Sequence, residues 1–432
     1  MIHARAAAAA TAALCLGAAA AAAGPYSAAL DDAFNPHDAP VPGFVGPHGD
    51  GKARVLESEG VYAHPNNFVN PLFAGWASGV ADYSPTPGVA GAWADPANAL
   101  GPVTGDSFHI VSLGDLSSSQ ITTNAPPGSI TLTFARPIRN LSGADFVCFE
   151  NGLISAGGAG VNGQILAELA YVEVSSDGHN FARLASRSLT PSAVGSFGTI
   201  DASNVFGLAG KHVNSYGESW GTPFDLGSLA ADPLVASGVV DLDAITHVRL
   251  VDLPGNGAFT DSTGAPVYDA WWTMGSGGHD LEAVGVISHN LDFASWRHNR
   301  GVDSQDWQRD SDGDGLPDIL EYATGLNPMA PDAESKWQSV SVFEGQLSLH
   351  CRRDERVTDI ILEVEGSVDL RSWEVIARST AGASFVPVAP HTPTISEAAA
   401  SEIRSVGVFR AATITDPSAT MRFMRLRAYI IP

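Results

Sequence analysis

The sequence predicts a mainly β protein with two sandwich domains joined by a short helical linker. The chain has 45 Gly and 27 Pro residues, its apolar runs are short, and helical periodicity is confined to one stretch. Many short strands separated by turn residues are typical of sandwiches and jelly rolls. With 432 residues, the chain is long enough for two or three domains.

We expect five segments: a signal peptide at 1–23, an extended lead-in at 24–60, a jelly-roll-like β-sandwich at 61–288, a helix–loop–helix linker at 289–332 and a small immunoglobulin-like β-sandwich at 337–432. The first segment is an Ala-rich apolar run that ends in small residues, as signal peptides do. A membrane anchor is the alternative, but the run is short and Ala is only mildly apolar. The pattern therefore predicts a secreted or cell-surface protein with no membrane span after signal removal.

The strand patterns differ in how many faces are apolar. Residues 129–134 alternate between apolar and polar, whereas residues 145–149 are apolar on both faces. Alternation indicates one buried face, and a strand that is apolar on both faces must be covered on both sides. In the smaller sandwich, 360–364 and 423–429 are the clearest strands, and Trp373 is expected to fill the core.

The charge balance excludes one class of partner. Acidic residues outnumber basic ones by 47 to 23, which gives a formal charge of −24. Such a field repels nucleic acid and favours cation binding, so we expect no nucleic-acid partner. Only Cys148 and Cys351 follow the signal segment, which excludes a disulfide-dense scaffold.

The linker contains the sequence DSDGDGLPDILE at 310–321, followed by a short helical pattern. It matches the calcium-loop pattern D-x-[DN]-x-[DN]-G-x5-E at every specified position. Calcium takes about 6–8 oxygen ligands, which closely spaced carboxylates and carbonyls provide. The expected ligands are Asp310, Asp312, Asp314, the Leu316 carbonyl, Asp318 and Glu321. A solvated acidic turn is the alternative, but it would not require Glu321 in register, so we expect calcium as the cofactor.

Pro317 separates this loop from the paired loops of calcium sensors. Paired EF-hands use a backbone N–H at this position to bridge the two loops, and proline has none. The motif resembles the single EF-hand-like loops of dockerins and thrombospondin type 3 repeats. The resemblance implies a structural role for calcium, in which it fixes the angle between the two sandwiches.

A wider resemblance covers most of the chain after residue 60. The residues that carry it are Asn70–Trp76, Ala144–Gly152, Tyr171–Gly178, His279–Ile287, Phe293–Trp296 and Arg422–Arg427. Together they resemble exported bacterial cell-surface proteins of the PEP-CTERM-associated β-sandwich type. The resemblance implies architecture and location rather than chemistry. Because no apolar helix with an Arg cluster closes the sequence, we do not expect attachment through a sorting tail.

Two further sites are hypotheses. Glu150, Glu168 and Asp280 flank predicted strands, where carbohydrate-binding jelly rolls often hold a structural calcium ion, and they are candidates for a second cation site. The alternative is that they are ordinary surface carboxylates at strand ends. Trp271 and Trp272 are candidates for stacking on a ligand, since consecutive strand residues face opposite sides and one of them should reach a surface.

The most concrete functional prediction is a binding or scaffolding protein whose partners are polysaccharide or other cell-surface components. Gly-x-Ser-x-Gly, His-Glu-x-x-His and the P-loop are absent from the sequence, and nothing singles out a carboxylate pair, so we expect no enzyme. The alternative is a polysaccharide-active enzyme with its site on the N-terminal sandwich.

Overall fold

The computed structural model describes residues 24–31, 38–46, 51–52, 64–158, 160–275, 277–300, 302, 306–332, 337–400 and 406–431. The expected signal peptide at 1–23 lies outside these residues. The protein is 37% strand and 11% helix, which confirms the prediction of a mainly β fold of the sandwich type.

The strands of the N-terminal part are short and follow one another closely. In chain order they are β1 Val41–Pro42, β2 Phe44–Val45, β3 Phe68–Val69, β4 Gly75–Ser84, β5 Val111–Ser112, β6 Ser129–Ile138, β7 Phe146–Glu150, β8 Leu153–Ile154, β9 Ile165–Leu166, β10 Ala170–Ser175, β11 Ala182–Arg183, β12 Arg187–Ser188, β13 Val205–Phe206, β14 Trp220–Phe224, β15 Ile245–Asp252, β16 Asn256–Thr260, β17 Pro266–Tyr268 and β18 Asp280–Val286. Two short helices interrupt them, α1 Ser118–Thr122 and α2 Pro233–Ala236. The 3-10 turns are Gly91–Trp93, Pro96–Ala99, Ala202–Asn204, Leu226–Leu229 and Leu242–Ala244.

The main sheet curls back on itself at β4. Its order is β1-β14-β7-β18-β4-β6-β15-β10-β11, with β5 paired to β18. The start of β4, Gly75 and Trp76, pairs with β18, and the register from Ala77 onward follows β6. Register shifts within β4 mark the bend, as expected where a strand passes from one layer to another. The two halves of the sheet enclose one apolar core.

The alternating apolar residues of β6 face the core, as predicted. Ile130 and Leu132 are fully buried in the core, and Phe134 packs against it. Every residue of β7 is buried, as its two apolar faces predict. Cys148 lies in the core between the layers, whereas Phe149 contributes to a second cluster on the outer face.

The lead-in is part of the sandwich rather than a separate tail. β1 pairs with β14, and β2 pairs with β3. The sheet therefore begins earlier than residue 61. The sequence does not reveal this, because these strands are two residues long and lie in a Pro- and Gly-rich segment.

The C-terminal part has two helices followed by a second set of strands. The helices are α3 Phe293–Asn299 and α4 Asp318–Thr324, and the strands are β19 Gln338–Phe343, β20 Gln346–Asp354, β21 Ile360–Ser367, β22 Glu374–Thr380, β23 Val386–Pro387, β24 Thr394–Ala399, β25 Phe409–Thr415 and β26 Phe423–Ile430. They form two four-stranded antiparallel sheets, β19-β20-β25-β24 and β23-β22-β21-β26, around a shared core. Trp373 does not fill this core: it is half-buried, and its ring lies 4.0 Å from the Arg425 guanidinium.

The two sandwiches contact each other directly. Val406, Val408 and Phe409 join Phe149 in the cluster on the outer face of β7. The buried Arg356 donates hydrogen bonds to the Leu72 carbonyl at 2.6 Å and the Ile287 carbonyl at 3.1 Å. Within the described part of the chain, no helix has the length and apolar character needed to cross a membrane.

Candidate metal centre

The acidic loop, residues 310–321, brings three carboxylates together. Asp310, Asp312 and Asp314 each offer an oxygen, and these oxygens lie within 4.8 Å of one another. The Asp310 carboxylate holds the curl because it accepts hydrogen bonds from the Gly313 N–H at 2.7 Å and the Gly315 N–H at 2.8 Å. Gly315 has φ +95°, a conformation that residues with a side chain rarely adopt. The loop therefore takes the shape that alternate Asp residues and the glycine predict.

Glu321 is the most informative residue of the loop. It lies on α4 and is 0% exposed, and neither of its carboxylate oxygens accepts a hydrogen bond from a described residue. Burial, together with the negative charges of Asp312, Asp314, Asp318 and Asp332, raises the pKa of Glu321 to about 9. A buried carboxylate without partners is unfavourable unless a cation neutralises it.

Asp312 also lacks hydrogen-bond donors, but at only one of its two carboxylate oxygens. Its Oδ1 accepts a hydrogen bond from the Asp314 N–H at 3.2 Å, while no described residue donates to Oδ2. Burial, opposed by that hydrogen bond but reinforced by the charges of Asp314 and Asp310, raises the pKa of Asp312. The loop thus presents bare oxygens on two residues separated by nine positions, as a calcium loop requires.

Apolar packing fixes the helix that carries Glu321. All seven residues of α4 are buried. The Tyr322 hydroxyl lies 2.7 Å from both the Leu291 carbonyl oxygen and an Asp359 carboxylate oxygen, either of which can accept its proton, and its ring centroid lies 5.4 Å from the ring centroids of both Phe293 and Trp296. Because the helix is held on several sides, Glu321 has little freedom to move away from the Asp residues.

The remaining expected ligands have different surroundings. Leu316 is buried by its side chain among apolar residues, so only its backbone carbonyl is a candidate donor. The Asp318 oxygens accept hydrogen bonds from the Ser311 N–H at 3.0 Å and the Ser311 hydroxyl at 2.8 Å. Asp318 therefore also closes the loop, and a carboxylate that accepts two hydrogen bonds still has lone pairs for a cation or a water molecule.

Asp332 belongs to the site but lies outside the motif. Its backbone N–H donates to Asp314 Oδ2 at 2.9 Å, and its charge is among those that raise the pKa of Glu321. The segment after α4 thus returns to the loop. The only signal in the sequence is an acid four residues after the Asn327-Pro328 turn, which no motif specifies.

The donor set fits calcium. Every candidate ligand atom is an oxygen, most are carboxylate oxygens, and hard divalent cations prefer such ligands. Arg300 lies within electrostatic range of Glu321, but the four acids that act on Glu321 oppose its effect. A cation at the loop would satisfy the bare oxygens of Glu321 and Asp312 together.

The three residues of the hypothetical second cation site lie within electrostatic range of one another, although their oxygens do not converge as those of the acidic loop do. Glu150 ends β7, Asp280 begins β18, and Glu168 lies just before β10. Burial, followed by the charge of Asp280, raises the pKa of both Glu150 and Glu168 well above the ordinary value. Glu150 and Asp280 are buried, so the alternative of surface carboxylates is wrong for them.

One tryptophan of the pair reaches the surface, as expected, although the pair lies in a loop after β17 instead of a strand. Trp271 is half-buried, and its indole N–H donates to the Leu116 carbonyl at 3.0 Å. Trp272 is 42% exposed. The exposed ring is available for stacking, whereas the inner ring supports the loop.

Sequence comparisons add no further evidence, since neither a protein-family model nor a curated protein matches this chain.

Proposed function

We propose that the protein is an exported calcium-binding protein of the bacterial surface or extracellular space, with a scaffolding and polysaccharide-binding role. The observation that carries the calcium proposal is the buried carboxylate of Glu321, whose two oxygens have no hydrogen-bond partner among the described residues. Asp310, Asp312 and Asp314 supply the facing oxygens. Export rests on the pattern of residues 1–23.

A structural role for calcium follows from how the loop is packed. Apolar residues of α4, among them Ile319 and Ala323, belong to the same core as Leu349 and Leu426 of the C-terminal sandwich. A sensor must open a groove on binding calcium, but α4 has no residue that is free to turn outward. Calcium would lock this helix against the sandwich. Extracellular modules of this kind bind calcium with a Kd on the order of 10⁻⁴–10⁻³ M.

The proposed polysaccharide-binding role rests on exposed rings at one end of the N-terminal sandwich. Trp272 and Phe197 are exposed, and their loops are joined by a hydrogen bond from the Trp271 N–H to the Gly195 carbonyl at 3.2 Å. Phe108 is also exposed and stacks on Trp93, with ring centroids 5.8 Å apart. Exposed aromatic rings on neighbouring loops are suited to the apolar faces of sugars.

Calorimetry on the full-length protein tests the calcium proposal. After removal of metal with EDTA, calcium should give a binding isotherm, and Glu321→Gln should remove the contribution of the acidic loop to it because the bidentate ligand is lost. Asp243→Asn is the matched control, since Asp243 is an exposed acid outside the loop. An unchanged calcium isotherm in Glu321→Gln would contradict the assignment of the loop as the site.

Binding to immobilised polysaccharides tests the second part. We expect retention in calcium that is lost in Trp272→Ala and kept in Phe343→Ala, an exposed aromatic residue on the C-terminal sandwich. If no polysaccharide retains the unmodified protein, the polysaccharide proposal is wrong and the scaffolding role remains.

One observation favours an alternative, a polysaccharide-active enzyme. Burial raises the pKa of Asp115 to about 6, against the effect of hydrogen bonds from Thr273, the residue next to Trp272. A carboxyl with a pKa raised in this way keeps its proton in mildly acidic solution and is suited to act there as a general acid. Release of reducing sugar by the protein, abolished in Asp115→Asn, would support the enzyme; retention without release would support the binding protein.

A further inference from the structure

Six carboxylates from separate segments of the N-terminal sandwich lie within electrostatic range of one another. We call them the sandwich acidic group: Asp115, Glu150, Glu168, Asp252, Asp269 and Asp280. Four of them, Glu150, Asp252, Asp269 and Asp280, are buried. Asp115 and Glu168 are half-buried.

Electrostatic repulsion links each member of the group to at least one other member. Asp280 acts on Glu150, on Glu168 and on Asp252. Asp115 acts on both Asp252 and Asp269. Burial and these charges together hold the pKa values of four members, Glu150, Glu168, Asp252 and Asp269, well above their ordinary range.

The hydrogen bonds that the group receives come from neutral donors. Asp252 Oδ1 accepts from the His279 N–H at 2.9 Å, and Asp269 Oδ2 accepts from the Leu169 N–H at 2.7 Å. Glu168 Oε1 accepts from the Thr273 hydroxyl at 2.7 Å. These contacts orient the oxygens but supply no positive charge.

No Lys or Arg in the described part of the chain forms an ion pair with Glu150, Asp252 or Asp269. The same sandwich does provide a counter-charge elsewhere, since the buried Lys211 pairs with Asp38. Among the described residues, Glu150, Asp252 and Asp269 therefore differ from Asp38 in having no cationic partner, and a bound cation would balance their charge.

Asp252 provides an independent indication of a ligand. It is 1% exposed, and no described residue donates to its Oδ2. The nearby Asp115 Oδ1 also receives no hydrogen bond from a described residue. A buried oxygen in this state is unfavourable when nothing binds it. Both bare oxygens belong to residues that repel each other, as metal ligands without their metal do.

We propose that the sandwich acidic group binds a calcium ion, at a site separate from the acidic loop. Its ligands are oxygens, as a hard divalent cation requires. Among the described residues, only the acidic loop brings three ligand atoms within 4.8 Å of one another, so the sandwich acidic group is more open. Bound calcium draws these carboxylates together and keeps water molecules as additional ligands.

The site is connected to the exposed ring of Trp272. Thr273, the next residue, donates its N–H to Asp115 Oδ2 at 3.0 Å and its hydroxyl to Glu168 Oε1 at 2.7 Å. Calcium at the sandwich acidic group therefore holds the loop that carries Trp272. Its consequence for ligand binding rests on the proposed polysaccharide-binding role, whereas calcium binding itself does not.

The test uses the full-length Glu321→Gln protein, in which the acidic loop lacks its bidentate ligand. After metal removal and dialysis against calcium, metal analysis should find about one calcium ion per chain in Glu321→Gln and about two in the unmodified protein. A Glu321→Gln protein that binds no calcium overturns the proposal. Equal occupancy of about one ion in both proteins would instead contradict the loop and leave this inference standing.

Second changes made in Glu321→Gln locate the site. Asp252→Asn and Glu168→Gln should each weaken the remaining calcium binding about tenfold or more, because each removes a charged ligand. Asp261→Asn is the matched control: Asp261 is a buried acid of the same sandwich, but its Oδ1 accepts a hydrogen bond from the Thr263 N–H at 2.8 Å. Equal weakening in all three overturns the assignment. If Asp252→Asn does not fold, Glu168→Gln and the calcium content of Glu321→Gln decide.

Discussion

The acidic loop and the sandwich acidic group gather carboxylates in two different ways. In the loop, a twelve-residue segment curls so that Asp310, Asp312 and Asp314 converge, and one helix returns Glu321 to them. In the sandwich, the carboxylates come from strand ends and loops that the sheet brings together from distant parts of the chain. Local acids can be recognised from their spacing, whereas distant acids become a group only through the topology of the sheet.

The two regions also differ in what holds the bare carboxylate. Glu321 is carried by a short helix packed on an aromatic cluster, while Asp252 ends a strand at the centre of the sheet. The loop can therefore be weakened by changes in its apolar support, and the sandwich group by changes in backbone packing. The following predictions separate these sources of stability, from the largest expected effect to the smallest.

The largest effect should come from removing the aromatic support of the acidic loop. Trp296 is 3% exposed, and its ring lies against Phe293 and Tyr322. Trp296→Ala should lower the free energy of unfolding by about 3–5 kcal/mol, because it leaves a large cavity beneath α4. Thermal or denaturant unfolding measures this loss. Trp272→Ala, at an exposed ring, is the control and should change stability by less than about 0.5 kcal/mol.

Acid should destabilise the protein through His289, which belongs to neither acidic region. Burial, aided by the charge of Arg136, lowers the pKa of His289 from 6.5 to about 4. As the pH falls, the unfolded chain takes up this proton near 6.5 while the folded chain resists until about 4. Stability is therefore lost across that window, by at most about 3 kcal/mol.

Denaturant unfolding of His289→Gln at several pH values checks this contribution. The variant should show a shallower loss of stability between pH 6.5 and about 4, and His179→Gln, at an exposed histidine, should retain the original slope. An unchanged slope in His289→Gln would show that acid acts elsewhere.

Calcium should stabilise the protein by an amount that grows with the logarithm of its concentration above the Kd. At a concentration of about 100 times the Kd, a ligand that binds only the folded state adds about 2.7 kcal/mol per site. Glu321→Gln should abolish the contribution of the loop and also raise stability in EDTA, because the amide takes up no proton on folding, whereas the Glu321 carboxyl, with its pKa raised to about 9, must do so. Unfolding in calcium and in EDTA measures both effects, and magnesium should replace calcium poorly. A melting temperature that is indifferent to EDTA contradicts both sites.

The smallest effect is the difference in cost between alanine substitutions at one glycine from each region. Gly315 and Gly278 both have positive φ, +95° and +77°. A Cβ at Gly315 meets open space, whereas one at Gly278 would lie 2.7 Å from the Gly114 carbonyl carbon and 2.8 Å from Asp252 Oδ1. Gly315→Ala should cost about 1–2 kcal/mol from backbone strain alone. Gly278→Ala should cost about 1–3 kcal/mol more, because close packing adds to the strain. Equal costs in denaturant unfolding would contradict the enclosed geometry of the sandwich group.

The fold class and the acidic loop could be predicted from the sequence because both depend on local residue patterns. The alternation at 129–134 and the two apolar faces at 145–149 correspond to β6 and β7, with the predicted burial. The register of Asp310, Asp314 and Glu321 needs only one loop and one helix. Calcium binding itself remains a prediction, as do export and the proposed partners.

Non-local features could not be predicted in the same way. Asp115, Asp252 and Asp269 have no common spacing, and only the fold shows that they approach one another. Trp373 was expected in a core because large rings often are, yet it is half-buried and its ring packs against the Arg425 guanidinium. In each case the deciding information is which distant segment covers a residue, and a residue pattern does not contain it.

The cluster on the outer face of β7 has a consequence for how this protein can be divided. Phe149 of that strand belongs to the same cluster as Val406, Val408 and Phe409, which come from the far end of the chain. A fragment that stops at the linker would expose this apolar surface, and we expect it to aggregate or to bind chaperones. Proteolytic shedding between the sandwiches would therefore inactivate both halves instead of releasing two working modules.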